Sequence, residues 1–121
     1  MSKVFSIAGE DLRAGDFITF QRIDDEILVY RAIAKTTNKP AMGFVTTKAK
    51  KGDKVAVSRE GVNNKLKFLK PNQPYYLSNT LPGAATQTPP RYRNNIVQYL
   101  GVSISSTGLL IEQINDYVVN D

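Results

Sequence analysis

Apolar residues in this chain come in runs of three to six, rich in β-branched and aromatic types and punctuated by Gly, Pro, Asn and Asp. A helix needs an apolar stripe recurring every three to four residues, and almost no segment supplies one, so the pattern specifies strands joined by tight turns. Strands are expected over 17–21, 26–34, 41–47, 54–58, 65–68, 74–78, 96–103 and 108–113, with turn chemistry at Ala14-Gly15-Asp16, Ile23-Asp24-Asp25, Lys51-Gly52-Asp53, Val62-Asn63-Asn64 and Ser106-Thr107-Gly108. About eight short strands at close spacing in 121 residues predict one all-β domain spanning 1–121, a small barrel or sandwich. The only helix candidate is Ile114–Val119, and a frayed, flexible tail over 114–121 is the competing expectation.

The chain echoes itself. Leu12-Arg13-Ala14-Gly15-Asp16-Phe17 and Leu69-Lys70-Pro71-Asn72-Gln73-Pro74 each lead from a Leu through a turn into an apolar strand. Ala41-Met42-Gly43-Phe44-Val45 matches Tyr99-Leu100-Gly101-Val102-Ser103, and Lys54–Val57 matches Gly108–Ile111. Two related β units folding on each other would bury both apolar faces, although any all-β chain produces some echoes by chance. Gly43 and Gly101 sit inside strand patterns, where glycine marks a bend, a bulge or a close backbone approach.

Composition narrows the chemistry. The chain has no Cys, His or Trp. Thiol nucleophiles, disulfides, Ser-His-Asp triads and His-ligated zinc are therefore excluded. Asp24, Asp25 and Glu26 form the one carboxylate cluster, but consecutive acids in a hairpin turn splay into water. No phosphate-binding glycine loop or nucleophile elbow is present. The expectation is a protein that is not an enzyme and uses no metal or cofactor. The start, Met1-Ser2-Lys3-Val4-Phe5, has no apolar leader, and no run approaches the ~20 apolar residues of a membrane span, so neither export nor a membrane partner is expected.

Two surfaces stand out. Residues 79–95 lack periodicity for 17 residues and carry Pro89-Pro90, which favours an extended arm able to lie on a neighbour; its contact candidates are Leu81, Pro82, Pro89, Pro90, Arg91, Tyr92 and Arg93. The second is a basic stretch. Of the excess charge of +5, Lys48 to Lys70 supplies a local +6, through Lys48, Lys50, Lys51, Lys54, Arg59, Lys65, Lys67 and Lys70 against Asp53 and Glu60. Such a stretch attracts nucleic acid or an acidic protein face, or is a solvated strand edge. Tyr75, Tyr76, Tyr92 and Tyr99 could serve as stacking platforms, but Tyr75 and Tyr76 must face opposite ways within one strand.

The segments Pro74–Ser78, Leu81–Pro90 and Ile96–Ile111, read as an apolar strand, a Gly/Thr/Pro loop and a "VQYLGVSISSTGLLI" pair of strands, resemble a pattern recurrent in tailed-bacteriophage virion proteins. Ala8–Ile18 and Ala41–Val45 resemble the opening and a later strand of small phage capsid decoration proteins and head-fibre bases. The resemblance covers about half the chain. It implies a β-rich virion protein, assembled in the host cytoplasm, that decorates or stabilises a capsid through contacts with the major capsid protein or another virion protein, as a homo-oligomer of trimeric form. The lysine-rich 48–70 region lies outside that pattern. The alternatives are a small nucleic-acid-binding β-barrel protein using this region, and a phage tail or fibre-base component.

Overall fold

The computed structural model describes residues 3–112, 114 and 116–121; Met1, Ser2, Gln113 and Asn115, which belong to the expected start, last long strand and tail, lie outside the described residues. Twelve strands form, and no helix among the described residues: β1 (Lys3–Ala8), β2 (Phe17–Ile23), β3 (Glu26–Arg31), β4 (Gly43–Phe44), β5 (Lys54–Ser58), β6 (Gly61–Asn63), β7 (Pro74–Leu77), β8 (Ala85–Thr86), β9 (Ile96–Val97), β10 (Tyr99–Ser103), β11 (Leu109–Ile111) and β12 (Val118–Val119). The all-β expectation holds. β1 to β5 close into a barrel of order β1-β3-β2-β4-β5, β6-β11-β10-β7-β8 form an open sheet, and β12 pairs with β9.

The two larger sheets are the same sheet built twice. Read from β1, the first runs β1-β5-β4-β2-β3, and the second runs β6-β11-β10-β7-β8, each strand standing where its counterpart stands. Register agrees as well. Ile18 faces Gly43 and Phe17 faces Phe44 in the first unit; Tyr75 faces Gly101 and Pro74 faces Val102 in the second. Loop hydrogen bonds recur with them. The Gly15 amide donates to the Val45 carbonyl at 2.7 Å and the Asn72 amide to Ser103 at 2.8 Å; the Leu12 amide donates to Ala49 at 2.8 Å and the Leu69 amide to Ser106 at 2.9 Å. Gly15 and Asn72, matched in the sequence echo, both take positive φ, at 96° and 61°. For the last strand of each unit the sequence alignment is two residues out, because Ser58 is the partner of Phe44 while Leu110 is the partner of Val102.

The units differ in closure. β1 and β3 have six residues each and pair in parallel, Ile7 with Leu28 and Ala8 with Val29, which shuts the barrel around Ala8, Leu12, Ile18, Val29, Val45, Val55 and Val57. Their counterparts β6 and β8 have only three and two residues, and the second sheet stays open. Its inner face, with Tyr75, Leu77, Leu100, Leu109 and Ile111, is covered by Phe17 and Phe44 from the outside of the barrel and by Ala32, Ala34, Ala41 and Ile96. The connection after β3 is held there by backbone bonds: the Ala34 amide donates to Ser78, and the Ile96 amide donates to Ala34, both at 2.8 Å. Gln98, fully buried, clasps Ala41 from both sides, its Oε1 accepting from the Ala41 amide at 2.7 Å and its Nε2 donating to the carbonyl at 2.9 Å.

Several strand expectations are corrected. Lys65–Phe68 is not a strand: Phe68 is 94% exposed with φ 62°, and the pairing with β11 falls to β6 instead. The long strand expected over 26–34 stops at Arg31, where the chain turns away to cover the second sheet, and of 41–47 only Gly43–Phe44 pairs. The run 96–103 breaks at Gln98, whose side chain turns inward. β1 shows no clear strand alternation in sequence, because Val4, Phe5 and Ile7 put apolar groups on both faces. At the end of the chain, β12 replaces the helix candidate: Val118 and Val119 pair with Val97 and Ile96, and Asn120 exchanges backbone bonds with Asn94 and Asn95 at 3.0 and 2.9 Å.

The two equivalent glycines let neighbouring strands approach. A Cβ on Gly43 would lie 2.6 Å from Val57 Cγ1 and 2.7 Å from the Ser58 carbonyl oxygen; one on Gly101 would overlap the Leu110 carbonyl oxygen. Both clashes involve a neighbouring strand's backbone carbonyl, which cannot give way cheaply, and the one at Gly101 is much the closer. Gly43→Ala should cost about 1–3 kcal/mol and Gly101→Ala more than that, measured by urea unfolding. Equal costs would show that the second sheet relaxes freely.

Candidate interaction surface

The long 79–95 segment is bound to the body of the protein. Gly83, buried at φ 78°, accepts from the Phe17 amide at 2.9 Å and donates to the Ala32 carbonyl at 2.7 Å, while Ala85 and Thr86 form β8 against β7. Asn79 Nδ2 donates to Asn95 Oδ1 at 2.7 Å, and Asn120 Nδ2 donates to the Pro90 carbonyl at 2.8 Å. The expected extended arm is therefore a stitched loop, because its backbone groups find partners within the chain. Of its candidates, Pro90 is buried and Pro89 half-buried; Pro82, Arg91 and Arg93 are exposed, as are Leu81 at 65% and Tyr92 at 75%. Tyr92 lines two clefts, one with Ile33, Lys35, Asn79 and Thr80, the other with Thr86, Pro89, Pro90 and Arg91.

Asp16 is the charged group beneath this loop. Its Oδ2 accepts from the Arg13 amide at 2.8 Å, and its side chain fills the space beside Gly83 that a Cβ would need. Burial pushes its carboxyl above the ordinary range, against the lowering effects of the Arg13 amide and the Arg31 and Arg13 charges.

The basic candidates are all exposed and divide among separate neighbourhoods. Lys48 and Lys50 line a cleft with Asp11 and Asp53, whose carboxylates accept from the amides of Lys51 and Lys50, each at 3.0 Å. Lys54 stands on the barrel wall with its Nζ 5.0 Å from the centre of the Phe5 ring. Lys65 lines a different cleft with Lys3 and Glu60, and Lys67 lies in the irregular segment after β6. The carboxylates Asp24 and Asp25 occupy a hairpin turn at φ 49° and 67°, both exposed.

The surface that the sequence did not reveal is the outer face of the second sheet. Val62, Leu110, Val102 and Pro74 are direct cross-strand partners, one from each of four adjacent strands. Beside them Tyr76 and Tyr99 meet edge to face, with ring centroids 6.0 Å apart. Tyr75, one residue away, points into the core, as the alternation requires. Val62 and Tyr99 are each 41% exposed, Leu110 36%, and the adjoining Ile104 55%. No lysine or arginine belongs to this row. At its Val62 end the row borders a cleft with Lys3, Glu60 and Lys65, and at the other end burial, followed by Glu112 and Tyr76, pushes the Tyr99 phenol up. In the first unit the corresponding positions include Phe17 and Phe44, which are fully covered.

No family model matches the chain, and no curated protein or solved structure matches it.

A raised carboxyl in the folded state means that folding binds a proton, so stability falls as pH rises from the unfolded carboxyl range through the folded value. Asp16→Asn should flatten that part of the stability-against-pH curve, followed by thermal unfolding between about pH 3.5 and 7. An unchanged slope would show that Asp16 is well solvated.

Proposed function

We propose that the protein is a virion structural protein that decorates or stabilises a tailed-phage capsid by protein–protein contact, and that the outer face of its second sheet makes the contact. The observation that carries the contact role is the apolar row Val62–Leu110–Val102–Pro74 with Tyr76, Tyr99 and Ile104, left in solvent although Phe17 and Phe44, the counterparts of Pro74 and Val102 in the first unit, are covered. Soluble proteins seldom leave a contiguous apolar sheet face open unless something binds there. Its composition fits as well: tyrosines and aliphatic groups at the centre, charge only at the margin.

The virion setting is supported by the resemblance of residues 74–90 and 96–111 to phage virion proteins. Those segments supply β7 through β11 and so build most of this sheet. A shell component needs rigidity and matching faces, and a chain without Cys or His can supply both. Partners in this reading are the major capsid protein or another virion protein, together with further copies of the chain.

The test is co-sedimentation of purified protein with capsids of the phage that encodes it. The parent protein should sediment with the particles. A double variant, Ile104→Lys with Leu110→Lys, should lose at least about tenfold in occupancy, since it places two charges in a dry contact, while melting within a few degrees of the parent. Undiminished occupancy of the double variant, or a parent that stays in the supernatant, would contradict the reading.

A further inference from the structure

We infer that the outer wall of the barrel along β1 and β3 is a binding site for single-stranded nucleic acid, separate from the contact proposed for the second sheet. On β1, the residues that alternate with the inward Ala8 are Lys3, Phe5 and Ile7; on β3, those that alternate with the inward Val29 are Leu28 and Tyr30, with Glu26 at the start of the strand. Ile7 and Leu28 are direct partners, and the Tyr30 ring lies against Gly9, where a Cβ would sit 2.7 Å from its Cε1. The wall therefore carries two aromatic rings with an apolar floor between them. Phe5 is 62% exposed in the middle of a strand.

Each ring has a lysine over it. Lys54 Nζ is 5.0 Å from the Phe5 centroid, and Lys39 Nζ is 5.7 Å from the Tyr30 centroid. Phe5 lies two residues before Ile7 and Tyr30 two residues after Leu28, the partner of Ile7, so the rings are rooted about 13 Å apart along the strands, room for two stacked nucleotides of a stretched single strand. Further cations lie beside the far end. The Lys50–Asp53 turn is bonded to it, the Gly52 amide donating to Ala8 at 2.8 Å and the Ala8 amide to Asp53 at 2.9 Å, which brings up Lys50 and Lys51. The acids in that turn region, Asp11 and Asp53, are engaged by the backbone amides of Lys51 and Lys50. Planar rings flanked by ammonium groups fit an anionic polymer with planar, exposed bases. Duplex DNA, with its bases turned inward, can use the lysines but not the rings.

Fluorescence anisotropy of a labelled oligothymidylate of about 12 nucleotides, at about 50 and 150 mM salt, tests the site. The parent should bind, weaken with salt, and prefer the single strand to a duplex of equal length by about tenfold or more. Phe5→Ala should lose about fivefold or more in affinity with the salt slope unchanged, and Phe5→Leu, which keeps the apolar bulk without the ring plane, should lose as much. Lys54→Gln should instead reduce the salt slope by about 1. No binding at the lower salt, equal affinity for duplex, or parent-like affinity in both Phe5 variants would overturn the site.

Discussion

Everything in this fold depends on one packing event: Phe17 and Phe44 from the outside of the barrel entering the open inner face of the second sheet. Both rings are fully buried and tilted together with centroids 6.1 Å apart. Without them, Tyr75, Leu77, Leu100, Leu109 and Ile111 would face water, and a sheet with edges of three and two residues would have no reason to persist. The same event sets the roles of the two units. The first is a closed barrel with its own interior. The second borrows its cover from the first, and the connection clasped by Gln98 completes that cover.

A repeat arranged in this way has an unavoidable remainder. If the outer face of one unit fills the inner face of the next, the last unit keeps an outer face with nothing on it. Here that face is Val62, Leu110, Val102, Pro74, Tyr76 and Tyr99. The first unit cannot offer a further inner face, because β1 and β3 have closed it. A partner for the exposed sheet must therefore meet it differently from the way the two units meet each other. The wall around Phe5 is a surface of another chemical kind, with a lysine over its exposed ring where the sheet face carries charge only at its margin.

Much of the architecture was legible because tight turns and alternation are local. The strands Phe17–Ile23, Lys54–Ser58 and Pro74–Leu77 follow from such signals, and the echo between Leu12 and Leu69 marks a true structural repeat. What was hidden depends on long-range partners. Gln98 reads as one more strand residue until Ala41 is beside it, and Val118–Val119 joins a sheet only because Ile96–Val97 is there to receive it. The 79–95 segment reads as free because its sequence lacks periodicity, yet Gly83 and Asn120 tie it down through backbone atoms that composition does not display. The apolar sheet face was concealed for the opposite reason: its members come from four strands and touch only after folding.

The most direct measurement of the central claim is radical footprinting of the side chains in the free protein and in the assembled particle. Tyr99, Ile104 and Leu110 should be labelled in the free protein and protected on assembly, while Leu81 and Tyr92, also exposed but off this face, keep their labelling. Protection of Leu81 and Tyr92 with Tyr99, Ile104 and Leu110 left open would move the contact to the 79–95 loop and contradict the account.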